Sequence, residues 1–140
     1  MPPENANNEH LTFSKKERLC SEIQIAALLR NRQKIFCHPL KCHYIFLPCT
    51  NEEPVCQIVV SVPKRFFKHA VDRNRVKRLI REAFRLHHRD ILDPVLRERG
   101  QRAQLLITYI SNEISPYKLV EDKIIEILHR LNIANPTEGL

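Results

Sequence analysis

At 140 residues, with 43% hydrophobic and 28% charged side chains, the chain holds enough apolar material for one self-supporting core, and its composition excludes wholesale disorder. Lys and Arg outnumber Asp and Glu by 23 to 16, a net charge of +7, which favours polyanionic partners. No apolar run approaches the roughly 18 residues that span a bilayer, and no charged segment followed by an apolar stretch opens the chain, so a cytoplasmic protein without membrane contact is expected.

Residues 1–12 are polar and rich in Pro and Asn, and residues 133–140 lack an apolar period. Both read as tails around one domain at 13–132. Ser14-x-x-Glu17 and Ser21-x-x-Gln24 both have the capping-box form. The second is the better helix start, since Ile25, Leu28 and Leu29 follow with helical spacing as far as Arg30-Asn31. After Pro39, Leu40, Cys42 and Tyr44 alternate with Lys41, His43 and Ile45 as a strand that Pro48 stops. Val55 to Val62 is β-branched and ends at Pro63, a second strand expected to pair with the first as a hairpin. A long helix from about Val71 to Arg89 follows, then a polar connection through Pro94 and Gly100 and a third strand at Leu105 to Ile110. Ser115 is expected to cap a closing helix with Pro116 at its first position, its apolar stripe being Val120, Ile124, Ile127, Leu128 and Leu131. The order helix, hairpin, long helix, strand, helix describes an α+β domain in which helices cover a small mixed sheet.

Charge is concentrated in the long helix and its approach. Lys64 to Arg89 holds ten basic and two acidic residues, a local +8, so the other 114 residues sum to −1. On a helical wheel of about 100° per residue, Val76, Leu79, Ile80, Ala83, Phe84 and His87 form an apolar stripe. Asn74, Arg78, Arg81 and Arg85 oppose it, flanked by Lys77, His88 and Arg89. A basic helix face can be a merely solvated one, but such faces normally interleave acids for i,i+4 pairing. Here only Asp72 and Glu82 interrupt the bases, and arginine, whose planar fork suits phosphate, outnumbers lysine after Val71 by six to one.

The segment Phe67-x-x-Ala70-x-x-Arg73-Asn74-Arg75-Val76-Lys77-Arg78-x-Ile80-Arg81, continued by Glu82-Ala83-Phe84-Arg85, resembles the signature of the ribonuclease P protein family. Ser61-Val62-Pro63-Lys64-Arg65 and Lys16-Glu17-Arg18-Leu19 match that family's flanking pattern, so the resemblance runs from Phe13 to Asn132. It implies a ribosomal protein S5 domain 2-like fold with a left-handed strand–helix–strand crossover, where the general rule is right-handed. It further implies a monomer in a 1:1 ribonucleoprotein with the catalytic ribonuclease P RNA, removing the 5′ leader of precursor tRNA. The RNA carries the catalytic groups and most of the Mg2+, and the protein has no catalytic residue and no small-molecule substrate. Carried over by position, RNA-subunit binding falls to Arg73, Asn74, Arg75, Lys77, Arg78, Arg81 and Arg85. The leader-binding cleft falls to Phe13, Ile25, Leu29, Tyr44, Ser61, Lys64 and Arg65. Aliphatic Ile25 and Leu29 stand where the family usually has aromatics, which shifts leader contact towards Phe13, Tyr44 and the bases.

Other readings of the same residues remain in view. Arg73 projects nearer the apolar face and can instead anchor the helix start through backbone carbonyls, while Ile25 and Tyr44 can be core residues. Asp90 and Asp93 read as a helix exit. Cys37-His38 and Cys42-His43 lack zinc-site spacing, and adjacent strand residues point to opposite faces, so no metal site is expected. The cysteines, Cys20, Cys37, Cys42, Cys49 and Cys56, are odd in number and confined to the first half, and read as reduced thiols. The competing function is a plain RNA-binding module, such as a ribosomal protein, using the same helix on phosphates.

Overall fold

The computed structural model describes residues 26, 28–30, 33–49 and 54–134. Ala26 and Leu28 to Arg30 are helical, while both capping boxes lie outside the described residues. Four strands follow, β1 (Lys34–Cys37), β2 (Leu40–Pro48), β3 (Cys56–Ser61) and β4 (Gln101–Tyr109), with helices α1 (Ala70–Ile91) and α2 (Asp93–Arg99) between β3 and β4, and α3 (Tyr117–Ile133) after β4. The sheet order is β1-β2-β4-β3, with β3 parallel to β4 and the other pairs antiparallel. It is an α+β fold with a mixed sheet, as expected.

The expected pairing of β2 with β3 is corrected. The hairpin is β1–β2, turning at His38-Pro39, and β4 inserts between β2 and β3. Burial explains why. Cys56 to Ser61 alternates between buried and half-buried positions, whereas Ala103 to Ile107 is buried without interruption. A strand buried on both sides belongs at the centre of a covered sheet, and one that alternates suits an edge. Sequence adjacency favoured a β2–β3 pair, and burial of the Ala103–Ile107 run outweighs it.

One sheet face carries Ile35, Cys37, Leu40, Cys42, Ile58, Val60, Leu105, Ile107 and Tyr109 into a core closed by α1 and α3. The α3 stripe, Val120, Ile124, Ile127, Leu128 and Leu131, is buried as its spacing predicts. On the opposite face Leu28, 1% exposed, packs with Leu106, Ile45 and Val59, so the first helical residues lie across that side.

Two local expectations shift. The connection after α1 contains a helix, α2, since proline costs nothing in a first turn and Leu92 and Leu96 bury one helical turn apart. Gly100 ends it at φ 68°, ψ 34°, a left-handed conformation that glycine adopts without a Cβ clash. At α3 the cap position is Pro116 rather than Ser115. The Tyr109 hydroxyl donates to Glu113 O at 2.6 Å, accepts from Ser115 N at 3.0 Å and lies 2.9 Å from Ser115 Oγ. The serine that would have capped the helix is held by the sheet instead.

Candidate nucleic-acid interface

The cationic helix is fixed at its start by the loop before it. Phe67 is buried with its ring 6.0 Å from Tyr109. Arg73 Nη1 donates to Phe67 O at 2.8 Å and to Lys68 O at 2.9 Å. These charge-assisted bonds tie the first turn of α1 to the chain leaving the sheet, so Arg73 anchors the helix through backbone carbonyls.

Burial sets the rest of the helix phase. Val76, Ile80, Ala83, Phe84 and His88 are buried, with Leu79 packed against them. His88 therefore belongs to the core and not to the flank of the cationic face, and His87 is half-buried at 2.9 Å from Glu121 of α3. The correction follows from helix geometry: an i,i+4 row advances about 40° every four residues, so Val76, Ile80, Phe84 and His88 drift together around the axis towards α2. The His88 ring stacks on Phe84 at 4.7 Å, and its Nδ1 lies 3.1 Å from Asp93 Oδ1. Asp93 lies just past the end of α1 at Ile91, as a helix exit, and is buried there.

On the outer side Asn74, Arg75 and Arg78 are exposed, while Lys77, Arg81 and Arg85 are half-buried. Glu82 holds Arg85 through both guanidinium nitrogens that face it, Nε lying 3.1 Å from Oε1. That carboxylate offsets the Arg85 charge and raises its pKa further. The strongest cationic presentation is the Arg75–Arg78 stretch.

A second basic surface lies on the sheet. None of the four strands contains an Asp or Glu, and their three Lys/Arg residues, Lys34, Lys41 and Arg102, all alternate onto the face that Leu28 covers. The register brings two of them together, Lys34 pairing with His43 and Phe36, 58% exposed, pairing with Lys41, while Arg102 lies opposite Leu47 at the far end of β2. Gln57 Oε1 accepts from Arg102 Nη1 at 3.3 Å and from Gln104 Nε2 at 3.2 Å. Burial, then the charges of Lys41 and Lys34, pushes the His43 pKa down, so this histidine is neutral at pH 7 and offers hydrogen bonds rather than charge.

The expected cleft residues separate on this frame. Ser61 lies on the Leu28 face beside Thr108, and Lys64 and Arg65 are exposed in the turn beyond β3, Arg65 resting 4.8 Å above the Phe66 ring. Leu29 is 57% exposed at the helix next to buried Leu28. Tyr44 does not join them. It shares the core face with Leu40 and Cys42, its ring 5.5 Å from Phe46, and its own alternation with those two apolar residues already placed it there. Phe13 and Ile25 lie outside the described residues. Of the sheet-face cations, only Lys41 has a signal in sequence, its alternation with His43; Lys34 and Arg102 join that face through strand pairing.

A family model described as Ribonuclease P matches residues 13–130. The chain belongs to the ribonuclease P protein family. Two relatives in Porphyromonas gingivalis strains, each named ribonuclease P protein component, are 34% identical over 128 residues, 91% of this chain and 92% of theirs. A relative of the same name in Chlorobium phaeobacteroides is 29% identical over 134 residues, 90% of this chain and 92% of its own. Among solved structures the ribonuclease P proteins of Staphylococcus aureus and Thermotoga maritima share the fold. The first has a TM-score of 0.64 at 15% identity, covering 85% of this chain and 98% of its own. The second has 0.60 at 18%, covering 81% and 96%. Among the described residues no helix of this family member is long and apolar enough to cross a membrane.

Proposed function

We propose that the chain is the protein subunit of a ribonuclease P ribonucleoprotein, binding the catalytic RNA through the outer face of α1 and the 5′ leader of precursor tRNA across the Leu28 side of the sheet. The observation that carries this reading is the segregation of charge. Arg75 and Arg78 present cations on α1, and the strands place Lys34, Lys41 and Arg102 on one face with no carboxylate among them. Phosphates provide the affinity at the first surface. At the second, single-stranded nucleotides find cations, hydrogen-bonding Gln and Ser side chains, and an exposed aromatic, Phe36, able to stack.

Hydrolysis belongs to the RNA, with magnesium held mainly by RNA phosphates. A sheet floor without carboxylates offers no oxygen-rich ligand set for Mg2+. The chain acts as one copy per RNA in the cytoplasm, takes no small-molecule substrate, and raises the affinity for leader-bearing substrate. Arg73 serves as a positioning residue, holding α1 to the loop that carries Lys64 and Arg65.

Reconstitution with a cognate catalytic RNA tests the reading. At low magnesium, adding the chain should restore removal of the leader at the mature tRNA 5′ end. Tight RNA binding without such restoration would make it a plain RNA-binding module of this fold.

A further inference from the structure

We infer that Cys56, His88 and Asp93 form a buried site for a thiophilic divalent cation, tested with zinc, that pins the distal end of the cationic helix to the edge strand of the sheet. The three come from three elements: Cys56 opens β3, His88 lies in the last turn of α1, and Asp93 begins α2. One donor atom from each, a thiol sulfur, an imidazole nitrogen and a carboxylate oxygen, lies within 4.8 Å of the others. The residues are 2%, 1% and 5% exposed.

Donor chemistry selects the ion. A thiolate excludes Mg2+ and Ca2+, which take oxygen ligands, while one sulfur, one nitrogen and one oxygen suit zinc. Bond lengths of about 2.0–2.3 Å around a tetrahedral zinc place neighbouring donors about 3.5 Å apart. The 3.1 Å between His88 Nδ1 and Asp93 Oδ1 is close to that bite, and the Cys56 sulfur lies within 4.8 Å of a donor atom on each. Burial closes the site to substrates, which makes the role structural. The site sits on the inner side of α1, away from Arg75 and Arg78, so the ion would act on RNA binding only through the placement of the helix. It also differs from the Cys37-His38 and Cys42-His43 pairs, since Cys42 and His43 point to opposite sheet faces. The inference is independent of the proposed function.

The test uses the full chain, reduced and stripped with a chelator, then titrated with Co2+ as a spectroscopic stand-in and back-titrated with Zn2+. One Co2+ per chain is expected, with a thiolate-to-cobalt charge-transfer band and the visible bands of a tetrahedral site, all displaced by zinc, and zinc should raise the melting temperature. Cys56→Ala should abolish the charge-transfer band, Asp93→Asn should weaken binding about tenfold or more, and a Cys20→Ala/Cys49→Ala variant should leave the titration unchanged. Absence of stoichiometric binding would overturn the site, as would a band that survives Cys56→Ala or disappears with Cys20 and Cys49. If Cys56→Ala does not fold by circular dichroism, X-ray absorption of the zinc-loaded native chain decides: one sulfur with imidazole supports the site, and two or more sulfurs refute it.

Discussion

Replacing Arg75 and Arg78 together with Ala isolates the electrostatic contribution of the α1 outer face. Both side chains are exposed, so the fold should keep its melting temperature within the small range expected of surface changes. If each arginine neutralises one phosphate of structured RNA, losing both removes about 1.8 units from the slope of log affinity against log salt. Across the fourfold span from about 50 to 200 mM salt, that is roughly a 12-fold smaller decline in affinity than the parent shows. Binding of the catalytic RNA, measured over that range for parent and variant, reads the difference directly. The variant should bind more weakly at every salt, with the gap narrowing as salt rises. Parallel salt plots would refute the assignment and move the RNA site off this helix. Arg73→Ala is the internal contrast: loss of its two carbonyl bonds should lower the melting temperature.

Phe84→Ala should destabilise the domain by about 3–5 kcal/mol, because a ring 1% exposed and stacked on His88 leaves a cavity; chemical denaturation measures it, and a change below about 1 kcal/mol would show the helix phase to be wrong. Tyr44→Ala should likewise appear as lost stability, whereas Lys34→Ala/Lys41→Ala should weaken binding of long-leader precursor tRNA more than of substrate with a single-nucleotide leader. Equal losses for the two leader lengths would remove the sheet face from the leader path. His43 supplies a pH test: its folded-state pKa is depressed, so below the unfolded value of about 6.5 the unfolded chain takes up a proton that the folded one resists. Stability should therefore fall as pH drops through that region, the loss levelling off below the folded-state pKa. His43→Gln should flatten this acid limb relative to the parent, and superimposable limbs would contradict the shift. Tyr109→Phe should cost about 1–3 kcal/mol by stranding its partners at Glu113 and Ser115, read as a lower melting temperature.

The legible parts of this sequence were those where one period dominates. The stripes of α1 and α3 and the strand at Leu40 to Ile45 follow from spacing, since in each the apolar residues recur on one face, His88 at the end of α1 being the exception. Strand order was not legible from adjacency, because which strands neighbour one another depends on the whole sheet. Its trace was nevertheless present in the consecutive apolar residues Leu105, Leu106 and Ile107, which alternate no polar face to solvent. α2 hid behind Pro94, a residue that breaks helices everywhere except in their first turn. Of the interface, the cationic helix was visible as a run of bases in sequence. The sheet surface was not, because Lys34, Lys41 and Arg102 lie on three separate strands and share a face only through register. Tyr44 shows the opposite failure, in which a role carried over by position overrode a local alternation that pointed to the core.

The strand at the middle of the sheet is also the last of the four to be made. During synthesis β2 and β3 emerge with no partner for each other, and β3 stays unpaired until residues 101–109 have left the ribosome. Meanwhile the whole of α1, with its arginines, is already available to any nearby RNA. The domain cannot grow by adding strands to an edge. It closes in one late step, when β4 slots between the β1–β2 hairpin and β3. A chain stopped in α2 would therefore keep the β1–β2 hairpin but lack the strand that joins it to β3, and would leave a cationic helix free to hold RNA without a finished sheet to position it.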